Sequence, residues 1–112
     1  MNMIEEVILE YLNKRLNVAA YMEMPERNQK QFVLIEKTGS SVENHIHCAV
    51  FALQSYAGSM HQAAALNENL KIIMDEIIAY TDISKAKLDS DYNYTDTTKK
   101  QYRYQAIYEI YY

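Results

Sequence analysis

Ile4, Val7, Ile8, Tyr11 and Leu12 recur at spacings of three and four, the signature of one buried helical stripe. Asn2 followed by Glu5 reads as a helix cap with its reciprocal acid, and Lys14 and Arg15 suit the negative end of the helix dipole. A first helix is therefore expected over residues 3–16. Residues 19–24 form a short strand candidate, closed by Pro25 and the polar stretch 26–30. A second strand is expected over residues 32–38, with Gly39, Ser40 and Ser41 as the turn after it. The third, residues 45–55, is apolar on both faces, with Ile46, Cys48, Val50 and Ala52 opposed to Ala49, Phe51 and Leu53. Burial on two sides places it centrally in a sheet.

Gly58 ends that strand, and Ser59 with Gln62 forms a second capping box. Ala63, Leu66, Leu70, Ile73 and Ile77 then trace one stripe along a helix reaching Tyr80. Ala86, Leu88, Tyr92 and Tyr94 alternate with Lys85, Lys87, Asp89, Asp91 and Asn93, the period of a half-buried strand. After a polar turn over residues 95–100, Tyr102, Tyr104, Ala106, Tyr108, Ile110 and Tyr112 alternate with Gln101, Arg103, Gln105, Ile107, Glu109 and Tyr111.

The order is αβββαββ in one domain spanning residues 1–112, without repeat or linker. It predicts an α+β fold in which two helices pack on one face of a mixed or antiparallel sheet of about five strands. Two helices cover one face. Phe32 or Val33, one side of the third strand, and Ile107 with Tyr111 then fall on the other, where a partner subunit is the economical cover.

Composition narrows the function. The charge is −4, from 11 basic and 15 acidic residues, and the basic doublets Lys14-Arg15 and Lys99-Lys100 lie far apart, so no counterion-displacing track for nucleic acid is visible. The single Cys48 cannot form an internal disulfide, which fits a reducing compartment. Glu5, Glu6 and Glu10 exclude a secretory signal, and no apolar run approaches the roughly 18 residues of a membrane span. Eleven Tyr beside two Phe and no Trp is the one unusual number. A stacking surface for bases would use such residues, but Asp89, Asp91, Asp96 and Glu109 surround them, so sheet core or interface is the expected role.

His45 and His47 fall on the same side of a strand, a possible metal pair; Cys48 points the other way, and His61 lies beyond a turn without an acidic ligand at diagnostic spacing. Cys48 in an apolar strand reads as packing. No phosphate-binding Gly loop and no Ser/His/Asp arrangement is present, so neither enzyme nor cofactor is expected.

Pro25-Glu26-Arg27 followed by Phe32-Val33-Leu34-Ile35-Glu36-Lys37-Thr38-Gly39, the hydrophobic strand through Ser55-Tyr56-Ala57 into an Ala-rich helix, and Arg103-Tyr104-Gln105-Ala106-Ile107-Tyr108 together resemble the tail terminator, or tail completion, proteins of long-tailed phages and prophages. The resemblance covers nearly the whole chain; Ser40 departs from it, where a second Gly usually stands. It implies a structural protein that caps the tail tube as a ring, generally a hexamer, and joins it to the head while DNA passes through unread. The implied partners are further copies of itself, the major tail tube protein and a head-closure or connector protein. The implied location is the virion head–tail junction, after synthesis in the host bacterial cytoplasm. Interface residues are then expected at Ile107 and Tyr111 and at Gly39, Ser40, Ser41, Val42, Glu43 and Asn44, and lumen residues at Asp89, Asp91 and Asp96. The alternatives are a small-ligand or regulatory α+β module and another neck component, a head-closure or adaptor protein.

Overall fold

The computed structural model describes residues 3–26 and 29–112. Its elements are α1 (Ile4–Arg15), β1 (Ala19–Tyr21), β2 (Phe32–Glu43), β3 (Ile46–Ala57), α2 (Met60–Asp75), α3 (Ile77–Tyr80), β4 (Lys85–Asn93) and β5 (Tyr102–Tyr111). They build a five-stranded sheet in the order β1-β2-β3-β5-β4, parallel between β1 and β2 and antiparallel elsewhere. The helices pack on one face, so the α+β architecture and the central place of the third strand agree with the sequence pattern.

The helical stripes meet the sheet in one core. Ile8 and Leu12 of α1, Leu70 and Met74 of α2 and Ile77 of α3 are fully buried against Val33, Phe51, Leu53, Ala106, Tyr108 and Ile110. Tyr11 donates its hydroxyl to the Ile73 carbonyl at 2.6 Å, and Asn13 clasps the Ala20 backbone from both its amide ends, so α1 is tied to α2 and to β1. Ser59 caps α2 as expected, its hydroxyl accepting from the Gln62 amide at 3.2 Å. The cap of α1 is Met3, without a side-chain hydrogen bond, while Asn2 and Arg27 lie outside the described residues.

Four expectations are corrected. The first strand stops at Tyr21 rather than residue 24. The long helix breaks at Glu76, and the stripe continues through Ile77 in the separate turn α3. Gly39, Ser40 and Ser41 form no turn: Gly39 has no positive φ, and β2 runs on through it to Glu43. The reversal comes at Asn44 and His45, with φ of 51° and 65°, as a two-residue hairpin turning with the strands' own twist requires. Finally, β4 carries a bulge. Leu88 pairs with Tyr108 and Ser90 with Ile107, which leaves Asp89 unpaired and inverts the alternation beyond it. Asp91 then faces α2, and Tyr92 and Tyr94 turn to the side without helices.

Candidate interaction surface

The register defines the uncovered face row by row. Phe32, Tyr56 and Arg103 form one row; Leu34, Gln54, Gln105 and Tyr92 the next; Glu36, Ala52, Ile107 and Ser90 a third; Gly39, Val50, Glu109 and Lys87 a fourth; Ser41, Cys48, Tyr111 and Lys85 a fifth. Side chains directly opposite one another in such a ladder share a face.

One end of this face is packed by polar and aromatic groups. The Phe32 and Tyr56 rings stack at 4.6 Å, and Tyr21 meets Phe32 edge-on at 6.1 Å. Gln54 donates to Gln105 at 2.7 Å, Gln105 donates to the Tyr92 hydroxyl at 2.6 Å, and the Tyr56 hydroxyl donates to Gln54 at 3.1 Å. The Arg103 guanidinium reaches the Tyr56 hydroxyl and the Tyr94 carbonyl and lies 4.6 Å from the Tyr94 ring centroid. Gln54 and Gln105 are buried although no helix lies above them, because this closed network shields them. The sequence pattern assigned Tyr92 and Tyr94 to the helix side; only the bulge brings Tyr92 to Gln105 and Tyr94 to Arg103.

The other end is open. Every residue from 36 to 47 is exposed, so the distal half of the β2–β3 hairpin is uncovered on both faces. The candidates Gly39, Ser40, Ser41, Val42, Glu43 and Asn44 all lie on it, with Val42 61% and Ile46 55% exposed. Ile107 and Tyr111 are half-buried on the uncovered face, beside Ala52 and Cys48 respectively. The Glu109 charge beside Tyr111 pushes its hydroxyl above the ordinary range.

The three acids assigned to a lumen are in different situations. Asp91 accepts from Asn67 and from Lys71, both at 2.8 Å, and the Lys71 hydrogen bond holds its carboxyl below the usual range against the cost of burial. Lys71 is pushed up in turn, chiefly by that bond, and also pairs with Glu68 at 3.0 Å. Asp96 accepts the backbone amides of Thr98 and Lys99 in the turn before β5. Asp89 is exposed at the bulge.

The histidines stand apart: His45 is in the hairpin turn, the His47 ring stacks on Tyr112 at 5.4 Å, and His61 is exposed on α2. Among the described residues no group of three or more His, Cys, Asp or Glu side chains is placed to hold a metal ion, and no helix is long and apolar enough to cross a membrane. A groove of about 560 Å³ runs between α1 and α3, lined by Tyr11, Arg15, Tyr80 and Asp82 among others. Its guanidinium is engaged: Arg15 pairs with Glu76 at 2.9 Å and lies 4.5 Å from the Tyr80 ring centroid.

No protein-family model matches the sequence, and no curated protein does.

Proposed function

We propose that this chain is a structural protein of the phage particle, a tail terminator that caps the tail tube as a hexameric ring and joins the tube to the head while DNA passes through unread. The distal β2–β3 hairpin carries the proposal. A strand pair exposed on both faces, with Val42 and Ile46 bare, contributes nothing to its own core. Such a pair is useful to a neighbouring chain. The whole-length resemblance supplies the kind of assembly, which would place the protein at the head–tail junction beside the major tail tube protein and a head-closure or connector protein.

The test is electron microscopy of particles assembled without this protein. Overlong tails, or tails without heads, are expected of a missing terminator. Normal tails joined to heads would overturn the proposal. Tails of normal length that fail to join would move the chain to the neighbouring head-closure position. Saturable stabilisation of the purified chain by a small molecule would instead favour a ligand-binding module built on the α1–α3 groove.

A further inference from the structure

Two strands of the sheet have a free long edge. β1 pairs β2 only at Phe32, Val33 and Leu34, so beyond Leu34 the outer side of β2 has no strand beside it among the described residues. β4 is the last strand on the opposite side. β2 is antiparallel to β3, β3 to β5 and β5 to β4, so β2 and β4 run in opposite directions. Two copies set side by side in the same orientation therefore bring these edges together antiparallel. We propose that the distal edge of β2 pairs with the β4 edge of a second copy, making the sheet continuous from one subunit to the next.

The edges match in length and chemistry. The irregularity of β2 falls between Lys37 and Gly39 and that of β4 between Leu88 and Ser90, which leaves residues 39–43 and 85–88 as the regular parts. Within one chain Ser41 is level with Lys85 through Cys48 and Tyr111. A slide of two residues between copies sets Glu43 opposite Lys85, Val42 opposite Ala86, Ser41 opposite Lys87 and Ser40 opposite Leu88. An even slide keeps every side chain on its own face. Lysines on a bare edge ordinarily keep other strands away; here the facing edge brings the Glu43 carboxylate to them. On the helix side Val42, 61% exposed, comes opposite Ala86 and diagonal to Leu88, 36% exposed. Opposite charges and apolar pairs across a ladder both favour pairing. The two edges are different surfaces, so the contact is head-to-tail and repeats. Closure of that repeat into a ring rests on the function proposed above; the edge pairing is tested apart from it.

In a Cys48→Ser background, Ser41→Cys with Lys87→Cys places the thiols three strand spacings and two residues apart within one chain, roughly 16 Å, too far for an internal disulfide. Oxidation at millimolar protein is expected to give a ladder of disulfide-linked oligomers, whereas Ser41→Cys alone stops at dimers. Adding Glu43→Lys should slow the ladder roughly fivefold, and Lys85→Glu on top of it should restore the rate. A ladder with that charge pattern supports the pairing. No product, dimers only from the double-cysteine chain, or a rate indifferent to Glu43 overturns it, and none of these bears on particles assembled without the protein. Normal particles in that other experiment would remove the virion function and leave the edge contact standing.

Discussion

Asp89 and Asp91 are two residues apart on one strand, yet the structure assigns them very different energies. Asp91→Ala removes the acceptor of two hydrogen bonds, from Asn67 and Lys71. Lys71 is 21% exposed and keeps Glu68, so its share is small after solvent screening. Asn67 is 1% exposed, and its Oδ1 already has no partner among the described residues. Losing the Asp91 carboxylate leaves its amide donor buried and unbonded as well, a penalty of roughly 1–3 kcal/mol. The expected total is about 2.5 kcal/mol, which at roughly 4 °C per kcal/mol for a domain of this size lowers Tm by about 10 °C. Asp91→Asn retains an acceptor oxygen and should lose about half as much. Asp89→Ala, at the exposed bulge, should stay within about 0.5 kcal/mol of the parent. Urea unfolding followed by circular dichroism measures all three. A loss below about 0.5 kcal/mol for Asp91→Ala, or equal losses for Asp89→Ala and Asp91→Ala, would refute the reasoning, because it would mean that β4 runs without its bulge and that Asp91 faces solvent.

Three further outcomes are expected. Tyr108 is 1% exposed, its hydroxyl has no partner among the described residues, and burial with the Asp75 and Asp91 charges pushes its pKa up; Tyr108→Phe should be neutral or stabilising by about 1 kcal/mol in the same urea assay, and a comparable loss would show that the hydroxyl is bonded. Glu5, mainly through its hydrogen bond to backbone and secondarily through Lys37 at 3.2 Å, and Asp91, mainly through Lys71, are both held below their ordinary values. Their contribution is complete above unfolded-state values of roughly 3.9–4.3 and is lost as pH falls through the lower folded-state values, so the urea midpoint should decline below about pH 4, less steeply in Asp91→Asn; a midpoint that rises on acidification would contradict this. Ile107→Asp with Tyr111→Asp changes two half-buried side chains on the uncovered face, and should keep the parent circular dichroism spectrum while abolishing the tail capping proposed above; an unfolded double variant would place both in the core.

Much of the fold was legible because the periodicities are long. The stripe from Ala63 to Ile77 and the alternation from Tyr102 to Ile110 each extend over several repeats, and both faces of the third strand read as buried. The misreadings came where one residue decides. Gly39-Ser40-Ser41 has turn composition, but Gly is equally at ease in extended backbone, and the tighter signal was Asn44, a residue that tolerates the left-handed region. The unpaired Asp89 has no compositional mark, so strict alternation sent Tyr92 and Tyr94 to the wrong face and hid the meeting of Tyr92 with Gln105 and of Tyr94 with Arg103. The place of Ile107 and Tyr111 on the uncovered face was legible from their phase alone. The charge match between Glu43 and Lys85 was out of reach, since it depends on which strands end up at the two edges.

The unpaired residue of β4 also bears on how this chain can vary by descent. Leu88 and Ser90 already stand against consecutive residues of β5, Tyr108 and Ile107. Deleting the codon for Asp89 would join them into a regular ladder without moving a single pairing partner or exchanging the faces of Asp91 and Tyr92. Thr38, between Lys37 and Gly39 on β2, stands in the same position against Phe51 and Val50. Deletions elsewhere in these strands would slip every later side chain to the opposite face. Lineages of this protein should therefore differ in length at these two points of the sheet, and at few others within it.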